Sequence, residues 1–153
     1  MTVDSMYQEI ILDHYRNPQH RGLREPYDVE VHHVNPTCGD EVTLRLCLSD
    51  GAVEDISYDS VGCSISQASA SVMSGLLRGR DVDDALGVQG EFLTLLQSRG
   101  EESGADLDRL EDAVAFAGVS RYPARIKCAL LPWMAWKDAA LQARERTTIA
   151  EES

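Results

Sequence analysis

Three of the four cysteines in this chain stand where a thiol can do chemistry. Cys38 lies in Asn35-Pro36-Thr37-Cys38-Gly39-Asp40, a turn-forming run. Cys63 lies in Val61-Gly62-Cys63-Ser64, at the junction of a strand pattern and a helix pattern. Cys128 closes Arg125-Ile126-Lys127-Cys128 within a helical stretch. Glycine beside the first two lets the backbone take unusual dihedrals and come close to a bound group. Cys63 opens a helix, where the dipole and the free N–H groups favour an anion. Asp40 follows Cys38 by two residues and can face the same point, although a turn is the commonest use of Asp. Three thiolates and a carboxylate suit tetrahedral zinc, and soft sulfur also suits iron–sulfur chemistry. The intervals do not form a zinc-ribbon pattern, so a set of small buried cysteines is the competing reading. Cys47 falls in mid-strand, opposite Leu44, Leu46 and Leu48, and reads as structural. His14, His20, His32 and His33 are alternative ligands; His32 and His33 are adjacent on a strand pattern, so only one can face a given side.

The elements that must position these residues are legible from periodicity. A first helix is expected over Met6–Arg16, with Ser5 as its cap and Asn17-Pro18 as its stop. Strands are expected over Val29–Val34, Glu41–Leu48 and Val53–Val61, the last two joined by an Asp50-Gly51 hairpin turn. A helix over Ser64–Leu77 starts directly after Gly62-Cys63. Short helices follow over Val82–Leu86 and Glu91–Gln97, then an acidic loop tip at Gly100–Gly104. Asp106–Ala117 reads as an amphipathic helix with Gly118 as C-cap. A last helix runs from Ala124 into the 140s, with Pro132 expected to kink it. Strands followed by helices argue an α+β fold, a small antiparallel three-stranded sheet packed against several helices. Residues 1–147 form one domain in this reading, and 148–153 a frayed tail.

Composition narrows the functions. The 153 residues carry 26 acidic and 14 basic side chains, a net charge of −12. Nucleic-acid binding usually needs the opposite balance, because phosphate neutralisation supplies most of the affinity. No apolar run is long enough for a membrane span, and the start resembles no signal peptide. A cytoplasmic protein is expected, in which thiols stay reduced and serve metals or thiol chemistry rather than disulfides.

In combination these motifs resemble the iron–sulfur assembly proteins of the IscU and NifU N-terminal class. Met6-Tyr7 through Asp13-His14-Tyr15-Arg16-Asn17-Pro18 is similar to that family's opening. The three cysteine motifs resemble its three, with Gly62-Cys63-Ser64-Ile65-Ser66 and Ala68-Ser69 forming the second. The likeness covers Met6 to Lys137. Two departures separate the chain from the scaffold branch. Lys127 stands where scaffolds carry a histidine, and Arg121-Tyr122-Pro123-Ala124-Arg125 replaces their Leu-Pro-Pro-Val-Lys chaperone motif. The Cys63–Cys128 interval is also longer, the acidic stretch from Glu91 to Asp108 holding the extra length. These features resemble the SufU branch of zinc-dependent sulfurtransferases. The resemblance implies an IscU/SufE-like fold and one zinc held by Cys38, Asp40, Cys63 and Cys128. It also implies that Cys38 accepts persulfide sulfur, with Arg125 in possible support. The implied donor is a PLP-dependent cysteine desulfurase of the SufS type, which the protein would stimulate, with a downstream scaffold complex beyond. The alternative is a scaffold that builds and hands on a [2Fe–2S] cluster.

Overall fold

The computed structural model describes residues 3–36, 39–98 and 107–152. Cys38 and the expected loop tip at Gly100–Gly104 lie outside them. Three strands, β1 (Val29–Asn35), β2 (Asp40–Ser49) and β3 (Ala52–Val61), form one antiparallel sheet in the order β1-β2-β3. Asp50 and Gly51 both have positive φ (51° and 79°), the type I′ geometry whose twist matches the paired strands. Strict alternation buries Val42, Leu44 and Leu46 and leaves the intervening residues on the other face. Asp40 is the first inward-facing residue of that same row, only 1% exposed.

The helices cover the inward face. They are α1 (Val3–Arg16), α2 (Ser64–Leu77), α3 (Val82–Gln97), α4 (Leu107–Leu110) and α5 (Pro123–Glu152), with a 3-10 helix over Glu111–Arg121 before α5. The α+β class, the three strands and the bounds of α2 agree with the sequence reading. Three details differ. Helix α1 starts before Ser5, so Ser5 lies inside it rather than capping it. Val82–Gln97 is one helix, not two short ones. Gly87 and Gly90 cost helix propensity, but burial of Val82, Ala85, Val88, Phe92, Leu95 and Leu96 at helical spacing outweighs it. The Asp106–Ala117 helix is a single α turn followed by the 3-10 helix, inside which Gly118 lies. Glu111, with φ of 46°, marks the change of winding. Helix α5, like the last helix of the sequence reading, runs on through Pro132 as one element.

One core joins the layers. Trp133 of α5 stacks on Phe92 of α3 at 4.1 Å, and Phe116 of the 3-10 helix meets Phe92 edge-on at 5.8 Å. The Trp133 indole N–H donates to Ser69 Oγ (3.0 Å), and the Ser69 hydroxyl donates to the Ala129 carbonyl (2.5 Å). This pair of bonds locks α2 against α5 one residue beyond Cys128. It fixes the spacing of the two helices that carry Cys63 and Cys128.

Candidate metal centre

Asp40, Cys63 and Cys128 converge. Their ligand atoms all lie within 4.8 Å of one another. Each comes from a different element for a local reason. Asp40 opens β2 and turns inward because its alternation phase matches that of Val42 and Leu44. Cys63 is the N-cap residue of α2, extended at φ −72° and ψ 165°. Cys128 lies on the buried side of α5 and is 4% exposed. Its Sγ sits 3.6 Å from the Ala124 carbonyl.

Burying a carboxylate is costly unless its lone pairs are used. Oδ1 of Asp40 accepts the backbone N–H of Cys63 (2.9 Å), one of the free donors at the start of α2. Oδ2 lies 3.5 Å from Cys63 Sγ. Gly62 makes this possible. A Cβ built there would meet Asp40 Oδ1 at 2.1 Å, and its φ of 145° is one that L side chains rarely adopt. The sequence reading expected the glycine to admit a bound group. The group it admits is the Asp40 carboxylate. Ser66, one turn into α2, donates to the Cys63 carbonyl (3.0 Å) and places its oxygen 3.8 Å from Cys63 Sγ. Two sulfurs and a carboxylate oxygen at this mutual distance fit a zinc ion or an iron–sulfur unit by donor type. The buried acidic oxygen beside two thiols is the observation that fits a cation there.

The other sequence candidates fall elsewhere. His14 sits between Ser71 Oγ (2.8 Å) and Asp112 Oδ2 (2.9 Å). His20 contacts Ser74, His32 contacts Thr43, and His33 contacts Asp138. Each histidine is thus engaged away from the cluster. Cys47 is half-buried and its thiol donates to Glu54 (3.5 Å). Burial first, then the acidic neighbours Asp28 and Glu54, push that thiol up to about 11. A thiol held protonated in this way suits the structural reading. Arg125 is exposed, and its guanidinium lies over the Tyr122 ring at 5.2 Å. Among the described residues it makes no ion pair. Sequence reasoning missed a groove that Arg121, Tyr122 and Arg125 help to line. Its walls come from α1, α2, the 3-10 helix and the start of α5, and no periodic signal could have joined them.

The family model described as the NifU-like N-terminal domain matches residues 6–129, spanning all three cysteine motifs. The chain belongs to this family. Among curated members, it is 41% identical to the zinc-dependent sulfurtransferase SufU of Bacillus subtilis, over 87% of this chain and 88% of that one. It is 37% identical to the iron–sulfur cluster assembly scaffold protein IscU of Thermotoga maritima, over 91% and 95%. Solved structures of the family agree with the fold. A putative scaffold protein for the SUF system from Fervidobacterium islandicum superposes with a TM-score of 0.80 at 31% identity, over 91% of this chain and 99% of that one. A NifU-like protein from Brucella abortus gives 0.82 at 27%, over 94% and 97%. Membership in the family places the chain in iron–sulfur cluster assembly. No helix among the described residues is long and apolar enough to cross a membrane.

Proposed function

We propose that this family member is a zinc-dependent sulfurtransferase. It takes persulfide sulfur onto Cys38 from a PLP-dependent cysteine desulfurase of the SufS type, and it stimulates that enzyme. Asp40, Cys63 and Cys128 hold one zinc ion, with Cys38 as the fourth ligand. A bound zinc keeps thiols ionised at neutral pH and adds its binding free energy to folding. The chain's own residues do the rest. The Cys63 N–H orients the Asp40 carboxylate, Gly62 makes room for it, and Ser66 fixes the Cys63 backbone. The Cys38 thiolate attacks the outer sulfur of the donor's persulfide, following the logic of thiol–disulfide exchange. The donor leaves as a thiolate, and the sulfur passes on to a downstream scaffold complex. The reactions belong in the cytoplasm, where free thiols persist.

The buried Asp40 carboxylate facing two thiols carries this reading. Likeness to SufU and the exposed Lys127, where scaffolds carry histidine, support transfer over scaffolding. Native mass spectrometry tests it. The protein is incubated anaerobically with a cysteine desulfurase, cysteine and ferrous iron. The expected mass is that of one zinc and one extra sulfur, the sulfur lost in Cys38→Ala. Two irons and two sulfides in place of zinc would establish the scaffold reading instead.

A further inference from the structure

A groove of about 230 Å3 lies between α1, α2, the 3-10 helix and the start of α5. Ile11, Ile65 and Val119 line it with apolar surface, and Arg121, Tyr122 and Arg125 line it too. Its charge is unlike that of the chain. The molecule carries −12 overall, yet the described residues lining the groove include two arginines and no carboxylate. Elsewhere arginines have acidic partners: Arg24 pairs with Asp55, Arg45 with Glu30, and Arg80 and Arg109 with Asp84. Arg121 and Arg125 are exposed and make no ion pair among the described residues. Their support is ordered. The Tyr122 N–H donates to the Val119 carbonyl (2.9 Å), and the Tyr122 carbonyl accepts the N–H groups of Arg125 (2.9 Å) and Ile126 (3.1 Å). The Arg125 guanidinium lies over the Tyr122 ring at 5.2 Å. A binding surface ordered in advance loses less entropy when a partner arrives. Tyrosine and arginine are also the residue types that most often carry binding energy between proteins. The volume lies below the roughly 300–1,000 Å3 of pockets that enclose a free ligand, so it suits one or two side chains of a larger partner.

We infer that this groove docks a short acidic segment of a partner protein. An aliphatic or aromatic side chain of the segment enters against Ile11, Ile65 and Val119. A neighbouring Asp or Glu meets the arginines, whose guanidinium groups match a carboxylate in geometry and charge. The rest of the molecule sharpens the choice. A surface that is acidic on average repels such a segment, so the arginines fix where it settles. The inference goes beyond the sulfur-transfer reading and does not depend on it, because none of the three convergent donors lines the groove.

The test selects binders from a display library of random short peptides on the full chain. The survivors are expected to carry Asp or Glu next to a large apolar residue. A labelled survivor, followed by fluorescence anisotropy, should bind Arg121→Gln about tenfold more weakly than wild type, the loss of one charge-assisted contact. Arg121→Lys should keep part of the affinity. Changing the peptide's carboxylate to the amide should cost wild type a similar factor and Arg121→Gln little, since both changes break the same pair. Because Arg121 is exposed, its variants should melt with wild type, which separates lost docking from lost folding. The peptide should also shift the amide resonances of Val119 and Tyr122 in wild type. No survivors, survivors without an acidic residue, or equal affinity for wild type and Arg121→Gln would overturn the inference. So would a concentration-dependent dimer in sedimentation that Arg121→Gln abolishes, because the occupant would then be a second copy of this chain.

Discussion

Gly62 and Asp40 are tightly coupled at the candidate metal centre. The Gly62→Ala variant would force the carboxylate out of the space it occupies and would strain the backbone at positive φ. With zinc held as proposed, it should lose the ion and about 1–3 kcal/mol of stability together. Zinc per chain by elemental analysis, with urea unfolding of the same sample, checks this. Full zinc content in the variant would mean that the carboxylate does not need its present position. At this scale the sequence was informative about identity and silent about orientation. The residue types at 40, 63 and 128 suggested a metal, and all three converge. That the carboxylate would bond the Cys63 N–H depends on Glu41 pairing with Val61 across β2 and β3, which brings Gly62 against Asp40, a register that spacing along one chain does not reveal.

Two ties between elements account for how the helical layer and the loop before β1 sit. His14 of α1 reaches Ser71 of α2 with one ring nitrogen and Asp112 of the 3-10 helix with the other. Asp112→Ala leaves a buried imidazole nitrogen without its partner. Because Asp112 itself is exposed, the expected cost is modest, about 1 kcal/mol by urea unfolding. Arg24 clamps the loop before β1 to β3 through both oxygens of Asp55 (3.0 and 2.7 Å) and also donates to the Ile56 carbonyl (3.1 Å). The Arg24 hydrogen bonds hold the Asp55 carboxyl below its ordinary value of 3.8. A carboxyl depressed by folding stabilises the native state above its unfolded value, and that contribution fades as pH falls through the lower folded value. Wild type should therefore exceed Asp55→Asn in melting temperature at neutral pH, and the gap should close as acid protonates Asp55. A gap unchanged in acid would assign the loss to packing instead. The elements themselves were legible where one pattern dominated. Alternation in β2 and the turn at Asp50-Gly51 read directly. The unbroken α3 and the 3-10 helix did not, because tertiary burial decides the first and the turn at Glu111 decides the second.

At the scale of the whole molecule, strands succeeded by helices were enough to name the α+β class, and the acidic composition was enough to set nucleic acid aside. The two arginines that line the groove were hidden by that same average, since net charge says nothing of where the charges lie. The three convergent donors also have a topological meaning. They belong to stretches far apart along the chain: the entry to β2, the entry to α2 and the second turn of α5. An ion gripping all three would be a cross-link, closing two long loops as a pair of disulfides would. Its effect would then fall largely on the unfolded chain, which loses the freedom those loops would otherwise have. If zinc is held as proposed, stripping it with a chelator should lower the melting temperature of the entire domain in one cooperative step, leaving no separate early transition near the cysteines. Differential scanning calorimetry distinguishes the two, and a local early transition would mean that the ion fastens only its immediate surroundings. An ion that knots together the sheet and two helices could not leave without loosening everything else.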